Sequence, residues 1–134
     1  MTKLFIMLSS LLISLSAIAQ KEEEESVFAI VETPPAFIGG NDSLKRFIFK
    51  NMIWPKEALE NKILGRVIAN FIVEKDGTIT HPTISSRRLC NGCDEEALRL
   101  ITIMPKWKPG EQSRWKMRVR YRIPISFNPD DYEK

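Results

Sequence analysis

The chain has 134 residues, a formal net charge of +3 at pH 7, two cysteines and one histidine. This length is typical of a single domain, and so small a net charge gives no general reason to expect a nucleic-acid partner. One cysteine pair and a lone histidine, His81, do not supply the ligands that a zinc site needs. We therefore expect neither a metal nor another cofactor.

The first 19 residues have the layout of a secretory signal peptide. Lys3 precedes an apolar run over residues 4–15, and Ala17 and Ala19 form a small-residue cleavage site before Gln20. The run is shorter than the roughly 20 apolar residues with which a helix crosses a bilayer. We therefore predict an exported protein. The alternative is an uncleaved leader that anchors the chain in the inner membrane, and only then do we expect membrane contact.

Residues 20–31 are predicted to be a flexible acidic lead-in that ends in a short strand. The charged run over residues 21–25 repels itself and buries nothing, so a solvated segment is expected there. Residues 27–31 are β-branched and aromatic enough for the strand, which ends at Pro34 and Pro35 because prolines cannot donate to a β-ladder. The domain proper is placed at residues 32–128, and residues 129–134 are predicted to be a polar tail.

Two helices are predicted before the first long strand. After a glycine turn, where Asn41 or Asp42 can cap a helix, apolar residues recur at three- and four-residue spacing. This apolar stripe consists of Leu44, Phe47, Ile48 and Met52. Pro55 suits the first turn of a second, short helix over residues 56–61.

A β-hairpin is predicted next. Residues 65–74 place every second side chain on a wholly apolar face, which is typical of a half-buried strand. Asp76 and Gly77 form the signal of a tight hairpin turn, and residues 78–85 form the return strand.

A helix, a sharp corner and a last strand complete the predicted domain. Asp94 is expected to cap the helix and Pro105 to end it. After the corner at Pro109 and Gly110, residues 116–127 alternate between apolar and mostly basic side chains. One face of the sheet is therefore expected to lie under the helices and the other in solvent.

Cys90 and Cys93 precede this helix in the order Cys-Asn-Gly-Cys. A thiol pair beside a helix N-terminus is found in thiol oxidoreductases, in which the helix dipole lowers a thiol pKa. In an exported protein such a pair is more simply a local disulfide, and the surrounding order of elements is not that of a thioredoxin-like unit. We predict a structural disulfide and no enzyme activity, with a small periplasmic thiol–disulfide protein as the alternative.

The last predicted strand carries a row of basic side chains on one face. They are Lys116, Arg118, Arg120 and Arg122. Such a row is either the solvated face of an antiparallel strand or a cationic strip beside an open sheet edge. In the second case it attracts an acidic peptide, which adds a strand through main-chain hydrogen bonds. Pro124 favours an edge, because prolines within strands are found at edges or strand ends.

Several short stretches occur in a specific order along residues 32–127. They are residues 32–40, residues 44–48, Trp54 and Pro55 with Ala58, residues 65–67 with Phe71 and Val73, Asp76 and Gly77, residues 96–99, residues 104–110, and Tyr121, Pro124, Ile125 and Phe127. Each stretch is weak alone, but the ordered combination is specific. Together they resemble the C-terminal domain of TonB, in the short form common in Bacteroidetes.

This resemblance implies an α+β fold, with a three-stranded antiparallel sheet, to which a short N-terminal strand could be added, and two helices packed on one face. It also implies a periplasmic protein that takes part in TonB-dependent transmembrane transport and energy transduction. Such a protein binds an extended, TonB-box-like peptide of an outer-membrane receptor, or of another envelope protein, by strand addition.

The peptide is expected to bind an edge strand over residues 114–123. The contact residues implied by the resemblance are Arg114, Lys116, Arg118, Arg120, Tyr121 and Arg122. A structural homodimer formed through the same strand is a further alternative, because unpaired sheet edges invite pairing.

Overall fold

The computed structural model describes residues 26–133, so the predicted signal peptide over residues 1–19 and the acidic run over residues 21–25 lie outside the described residues. The helices are α1 (Asn41–Asn51), α2 (Lys56–Glu60) and α3 (Cys93–Thr102). The strands are β1 (Arg66–Val73), β2 (Ile79–Ile84), β3 (Gly110–Gln112), β4 (Trp115–Met117) and β5 (Val119–Ser126), and a 3₁₀ turn over Pro129–Tyr132 follows. No helix in this part of the chain is long and apolar enough to cross a membrane.

The centre of the domain is a three-stranded antiparallel sheet in the order β2–β1–β5. In β1, the side chains of Val67, Ala69, Phe71 and Val73 are at most 1% exposed. They form one core with Ile123 and Ile125 of β5 and with buried side chains of α1 and α3. Because successive side chains of a strand point to opposite faces, both longer helices cover the same face of the sheet. This arrangement confirms the predicted α+β fold.

Both longer helices begin directly after a glycine with positive φ. Gly40 (φ 86°) precedes α1 and Gly92 (φ 92°) precedes α3, and no side chain within residues 26–133 caps either helix. The predicted caps are therefore wrong, because Asn41, Asp42 and Asp94 lie inside the first turns. Glycine adopts positive φ without strain, so the chain turns into each helix before these residues are reached. The acidic side chains still interact favourably with the helix dipoles from these positions.

Trp107 fills the space between the sheet and the chain that follows α3. Its ring is 3% exposed and packs against Phe37, Phe71 and Tyr121, with ring centroids 5.6, 5.2 and 5.4 Å apart. Its backbone N–H donates to the carbonyl of Gly77 at 2.8 Å. A side chain at Gly77 would collide with the Trp107 carbonyl, so the close approach of the hairpin turn requires glycine.

The chain after Gly110 differs from the single strand predicted over residues 116–127. It first forms a small hairpin, in which β3 pairs with β4, and enters β5 only after Arg118. The turn of this hairpin consists of Ser113 and Arg114, which both have positive φ, at 50° and 70°. The Asn-Gly or Asp-Gly signal that is typical of such turns is missing here, which is why the sequence did not predict the reversal.

Residues 27–31 do not form the predicted short strand. Phe28 makes a single β-bridge, parallel to Val119 at the start of β5. The chain then leaves β5, and Ile30 is 90% exposed. The pairing stops because the next bridge, at Thr33, is made with β3 and not with β5.

A buried carboxylate joins α3 to the corner between α1 and α2. Glu96 is 7% exposed and accepts hydrogen bonds from the Ile53 backbone N–H (2.6 Å) and from the Arg99 guanidinium (2.6 and 2.8 Å). Arg99 also donates to the carbonyl of Asn51, the last residue of α1, at 2.7 Å. A buried charge is tolerated only when it is paired and hydrogen-bonded, as it is here. The position of α1 relative to α3 therefore depends on Glu96.

We expect Glu96→Ala to lower the free energy of unfolding by roughly 2–4 kcal/mol, because it leaves the Ile53 N–H and the Arg99 guanidinium without their partner. The control is the neighbouring Glu95→Ala. The Glu95 side chain is 61% exposed and pairs with Arg88 at the surface, so its loss should change stability little. Urea denaturation of the wild type and both variants measures the difference. Equal stability of the two variants would contradict the anchoring role of Glu96.

Candidate functional site

β5 is an edge strand of the three-stranded sheet that residues 26–133 form. The backbone groups of every second residue of β5 bond to β1, and those of the other residues face away from it. Arg118 and Arg120 face away, because the Phe28 N–H donates to the Arg118 carbonyl (2.9 Å) and the Arg120 N–H donates to the Phe28 carbonyl (2.8 Å). By the same alternation, the backbone groups of Arg122 and Pro124 face away from β1 as well.

The outer backbone groups beyond this bridge have no backbone partner within residues 26–133. They are the N–H groups of Arg122 and Ser126 and the carbonyls of Arg120, Arg122 and Pro124. The nitrogen of Pro124 lies on the outer side of the strand, so the missing N–H removes no hydrogen bond to β1. An edge with a free donor and free acceptors is able to pair with an extended peptide.

A groove of about 560 Å³ lies beside the open part of this edge. Its walls belong to β5, α1 and the 3₁₀ turn. Buried apolar side chains line it: Leu44, Ile48 and Ile123. Exposed charged side chains surround it: Lys45, Arg66, Arg122, Asp130 and Asp131. An apolar floor with a few charged groups at the rim is the usual composition of a binding site.

The 3₁₀ turn that closes the groove is fastened to the end of β5. The Asn128 side chain caps the turn by accepting from the Asp130 N–H at 3.1 Å. The Ser126 hydroxyl contacts the Asp131 carboxylate, and the Tyr132 hydroxyl donates to the Ser126 carbonyl at 2.6 Å. Burial raises the pKa of Tyr132 to about 12, so this hydroxyl keeps its proton and remains a donor at neutral pH.

This wall of the groove was not predicted from the sequence, because residues 129–134 were expected to be a polar tail. A local signal was present, since Asn128 is a good cap residue and Pro129 suits the first position of a helical turn. Leu44 and Ile48 were identified only as part of a helical core stripe. Their place at the groove results from tertiary packing, which spacing along the chain does not reveal.

Only some of the predicted contact residues lie on the edge strand. Arg120, Tyr121 and Arg122 lie in β5. The expectation of one edge strand over residues 114–123 was wrong, because the chain reverses at Arg114, and Lys116 belongs to β4. The side chains of Arg120 and Arg122 are exposed, whereas Tyr121 is half-buried on the core side.

Arg118 lies between β4 and β5 and is engaged within the domain. Its Nε donates to Glu74 Oε1 at 2.6 Å and its Nη2 donates to Glu74 Oε2 at 3.2 Å. The two side chains are only 18% and 20% exposed. The hydrogen bonds from Arg118 hold the pKa of the Glu74 carboxyl below its usual value, against the opposing effect of burial. This ion pair joins the end of β1 to the start of β5.

The two cysteines lie in the loop before α3. The sulfur atoms of Cys90 and Cys93 are within bonding distance, and the α carbons are 5.2 Å apart. The side chains are 5% and 0% exposed. The Asn91 N–H, between them, donates to Glu57 of α2 at 2.7 Å. Reactive cysteines need access to their partners, so this burial suits a structural role better than thiol exchange.

These observations define a small α+β domain in which the last strand keeps an open backbone edge beside a groove. The model of the family described as Gram-negative bacterial TonB protein C-terminal matches residues 50–129, which is more than half of the chain. The protein therefore belongs to the TonB C-terminal family. No curated protein sequence gives a significant match to the chain.

A solved structure has the same fold. It is the NMR solution structure of TonB-CTD from Helicobacter pylori, with a TM-score of 0.50 and 23% sequence identity. The match covers 64% of this chain and 89% of that chain. At this level of identity the likeness shows the fold alone, and it agrees with the three-stranded antiparallel sheet described above.

We expect the stabilisation by Glu74 to depend on pH. Because the pKa of Glu74 is lower in the folded state, the ion pair stabilises the protein above the unfolded-state pKa of 4.5, and this contribution is lost as the pH falls through the folded-state value. Glu74→Gln cannot lose a charge on acidification. The difference in free energy of unfolding between the wild type and Glu74→Gln should therefore be larger at pH 7 than at pH 3, which urea denaturation measures.

The control for this experiment is Glu60→Gln on α2. The Glu60 side chain is 61% exposed and pairs with Lys56 at 3.7 Å on the helix surface. Its substitution should have little effect at either pH. A Glu74→Gln difference that stays the same at both pH values would show that the ion pair does not carry the expected stabilisation.

Proposed function

We propose that this protein is a periplasmic, non-enzymatic binding domain that captures an extended, TonB-box-like peptide of an outer-membrane TonB-dependent receptor, or of another envelope protein. The peptide adds a strand to β5, and the interaction serves TonB-dependent transport. The observation that carries the proposal is the open backbone edge at Arg122, directly beside the groove. Membership of the TonB C-terminal family supports the periplasm as the location and a receptor as the partner.

Main-chain hydrogen bonds are the first component of this binding. The Arg122 N–H offers a donor, and the carbonyls of Arg120, Arg122 and Pro124 offer acceptors. Such bonds hold an extended peptide with little regard for its sequence. They account for affinity and leave selectivity to the side chains.

The side chains on the two faces of the added strand are the second component. Neighbours across a β-ladder point to the same face, so a peptide residue beside Arg120 or Arg122 meets an exposed guanidinium. The residues between them point towards Leu44, Ile48 and Ile123 in the groove. This combination favours a peptide in which acidic and apolar residues alternate.

A synthetic peptide tests this proposal directly. We expect a fluorescein-labelled eight-residue peptide of alternating glutamate and valine to bind, as measured by fluorescence anisotropy. Arg122→Pro should weaken binding roughly tenfold, because it removes a donor of the open edge and leaves a partner carbonyl unpaired. The fold should tolerate this change, since the adjacent outward position already holds Pro124.

The same set of variants tests the role of the Arg122 charge in peptide binding and the oligomeric state of the protein. Arg122→Glu should also weaken binding, whereas Arg87→Glu, at an exposed position outside the groove, should not. Unchanged affinity in Arg122→Pro would contradict strand addition at this edge. Size-exclusion chromatography tests the homodimer, because a wild-type dimer that becomes monomeric in Arg122→Pro would show self-pairing through β5.

We further propose that Cys90 and Cys93 form a structural disulfide. Replacing both with serine should lower the free energy of unfolding by about 2 kcal/mol, the value that chain entropy gives for so short a loop. Peptide affinity should stay the same, because the pair lies outside the groove. Denaturant unfolding, thiol titration and anisotropy measure these quantities. Loss of peptide binding together with an intact fold would favour the thiol–disulfide alternative.

A further inference from the structure

We propose that residues 26–36, here called the N-terminal arm, are a built-in competitor for the edge of β5. This inference rests on the proposed function, since it states which part of the edge a partner peptide reaches and what a longer peptide displaces. The arm bridges β5 at Phe28 and then follows β3 and the chain just before it. It therefore uses the same kind of main-chain pairing that the partner needs.

The arm is attached firmly at its C-terminal end. Thr33 exchanges two backbone hydrogen bonds with Glu111, at 3.0 and 2.9 Å. Ala36 exchanges two with Lys108, at 3.0 and 2.8 Å. The carboxylate of Glu32 adds hydrogen bonds to the β3–β4 hairpin. Residues 32–36 are thus a fixed point from which the preceding residues extend.

The N-terminal end of the arm is attached weakly. Phe28 makes two backbone hydrogen bonds to the strand edge, and its side chain is 38% exposed. Ile30 is 90% exposed, and its backbone makes no hydrogen bond within residues 26–133. An open surface depression of about 350 Å³ lies beside this end, lined by Ser26 and Phe28 and by β4. Residues 26–31 are therefore able to leave the edge while residues 32–36 stay bound.

The Phe28 bridge divides the edge of β5 into two parts. It occupies the Arg118 carbonyl and the Arg120 N–H. Within residues 26–133, the open part keeps the N–H groups of Arg122 and Ser126 and three carbonyls, and the 3₁₀ turn closes the groove at its far end. A peptide strand of about four residues spans this open part. A longer partner extends past Arg120 and has to replace Phe28.

The arm shares the apolar part of the chemistry that the edge selects. Residues 26–31 read Ser-Val-Phe-Ala-Ile-Val, and four consecutive glutamates precede them in the sequence. The strand edge presents the exposed guanidiniums of Arg120 and Arg122 on one face and apolar side chains on the other. Residues 27–31 of the arm are thus apolar like the valine positions of the peptide proposed above, and they compete for the edge through main-chain pairing.

The test uses Phe28→Pro and a matched control, Ile30→Pro, in the otherwise unchanged protein. The first variant removes the donor to the Arg118 carbonyl, whereas the second introduces the same residue two positions further on and removes no described hydrogen bond. In NMR hydrogen exchange without peptide, the Arg120 amide should exchange roughly tenfold faster in Phe28→Pro than in the wild type. Its exchange in Ile30→Pro should match the wild type. Equal exchange in all three proteins overturns the proposal that the arm covers this donor.

The second measurement compares the affinities of a long and a short peptide. The eight-residue glutamate–valine peptide should bind Phe28→Pro roughly three- to tenfold more tightly than it binds the wild type or Ile30→Pro, because a larger fraction of the protein has the whole edge free. A four-residue peptide of the same composition should bind all three proteins equally. Equal affinity of the longer peptide for all three proteins overturns the competition.

The two proposals fail in different ways. If peptides bind but length and the Phe28 substitution do not matter, only the competitor role of the arm is wrong. If the longer peptide binds Phe28→Pro alone, the arm covers the edge fully in the wild type and its role is confirmed. If no peptide binds any of the three proteins, the proposed function fails and the competition fails with it, while the Arg120 exchange rate still decides whether Phe28 covers this donor.

Discussion

The pairing of β5 with β1 is the constraint on which the rest of the structure depends. Eight residue pairs run along the whole of β1 without a register shift. Side chains and backbone groups both alternate with a period of two, so this register decides which side chains enter the core and which backbone groups face outward. A shift by one residue would turn Arg120 and Arg122 towards the helices and expose Tyr121 and Ile123. The core and the open edge are therefore two consequences of one register.

Polar contacts hold this strand pair at both ends. At one end, Glu74 and Arg118 form an ion pair that is mostly buried. At the other end, the Asp131 carboxylate (Oδ2) in the 3₁₀ turn lies 3.9 Å from Nη2 of Arg66, at the start of β1. The Tyr132 hydroxyl donates to the carbonyl of Ser126, the last residue of β5. The outward groups of β5 lie between these two fastened points. In the proposed strand addition, a partner strand would meet an edge that is already ordered, which lowers the entropy lost on binding.

Sequence periodicity was sufficient to predict those helices and strands whose local structure is decided by burial. The apolar stripe of α1, the alternation of β1 and the Asp76-Gly77 turn all predicted the observed elements. The final strand shows the limit of this reasoning. Met117 and Val119 continue the same alternation across the break at Arg118, so the pattern of side chains does not reveal that β4 pairs with β3 and β5 with β1.

The groove could not be predicted from sequence patterns, for a different reason. It combines α1, β5 and the C-terminal 3₁₀ turn, which are far apart in the sequence. Leu44 and Asp131 contribute to one surface only because the β1–β5 register and the Glu96 anchor bring their elements together. Local patterns predicted α1 and the alternation of side chains along β5, but the distance between these two elements is a property of the packed core.

An open sheet edge is a liability, because it pairs with any extended chain that reaches it. In this domain three features reduce such pairing: Phe28 covers the first outward donor, Pro124 provides no donor at the third outward position, and Arg120 and Arg122 repel basic segments. Within the described part of the chain, two donors, the Arg122 and Ser126 N–H groups, and three acceptors remain beside an apolar groove. Discrimination between partners therefore follows as much from the groups that are blocked as from those that are offered. In the proposed binding mode, an acidic and apolar peptide would gain the contacts of both faces, whereas a basic or polar strand would gain only the few main-chain bonds.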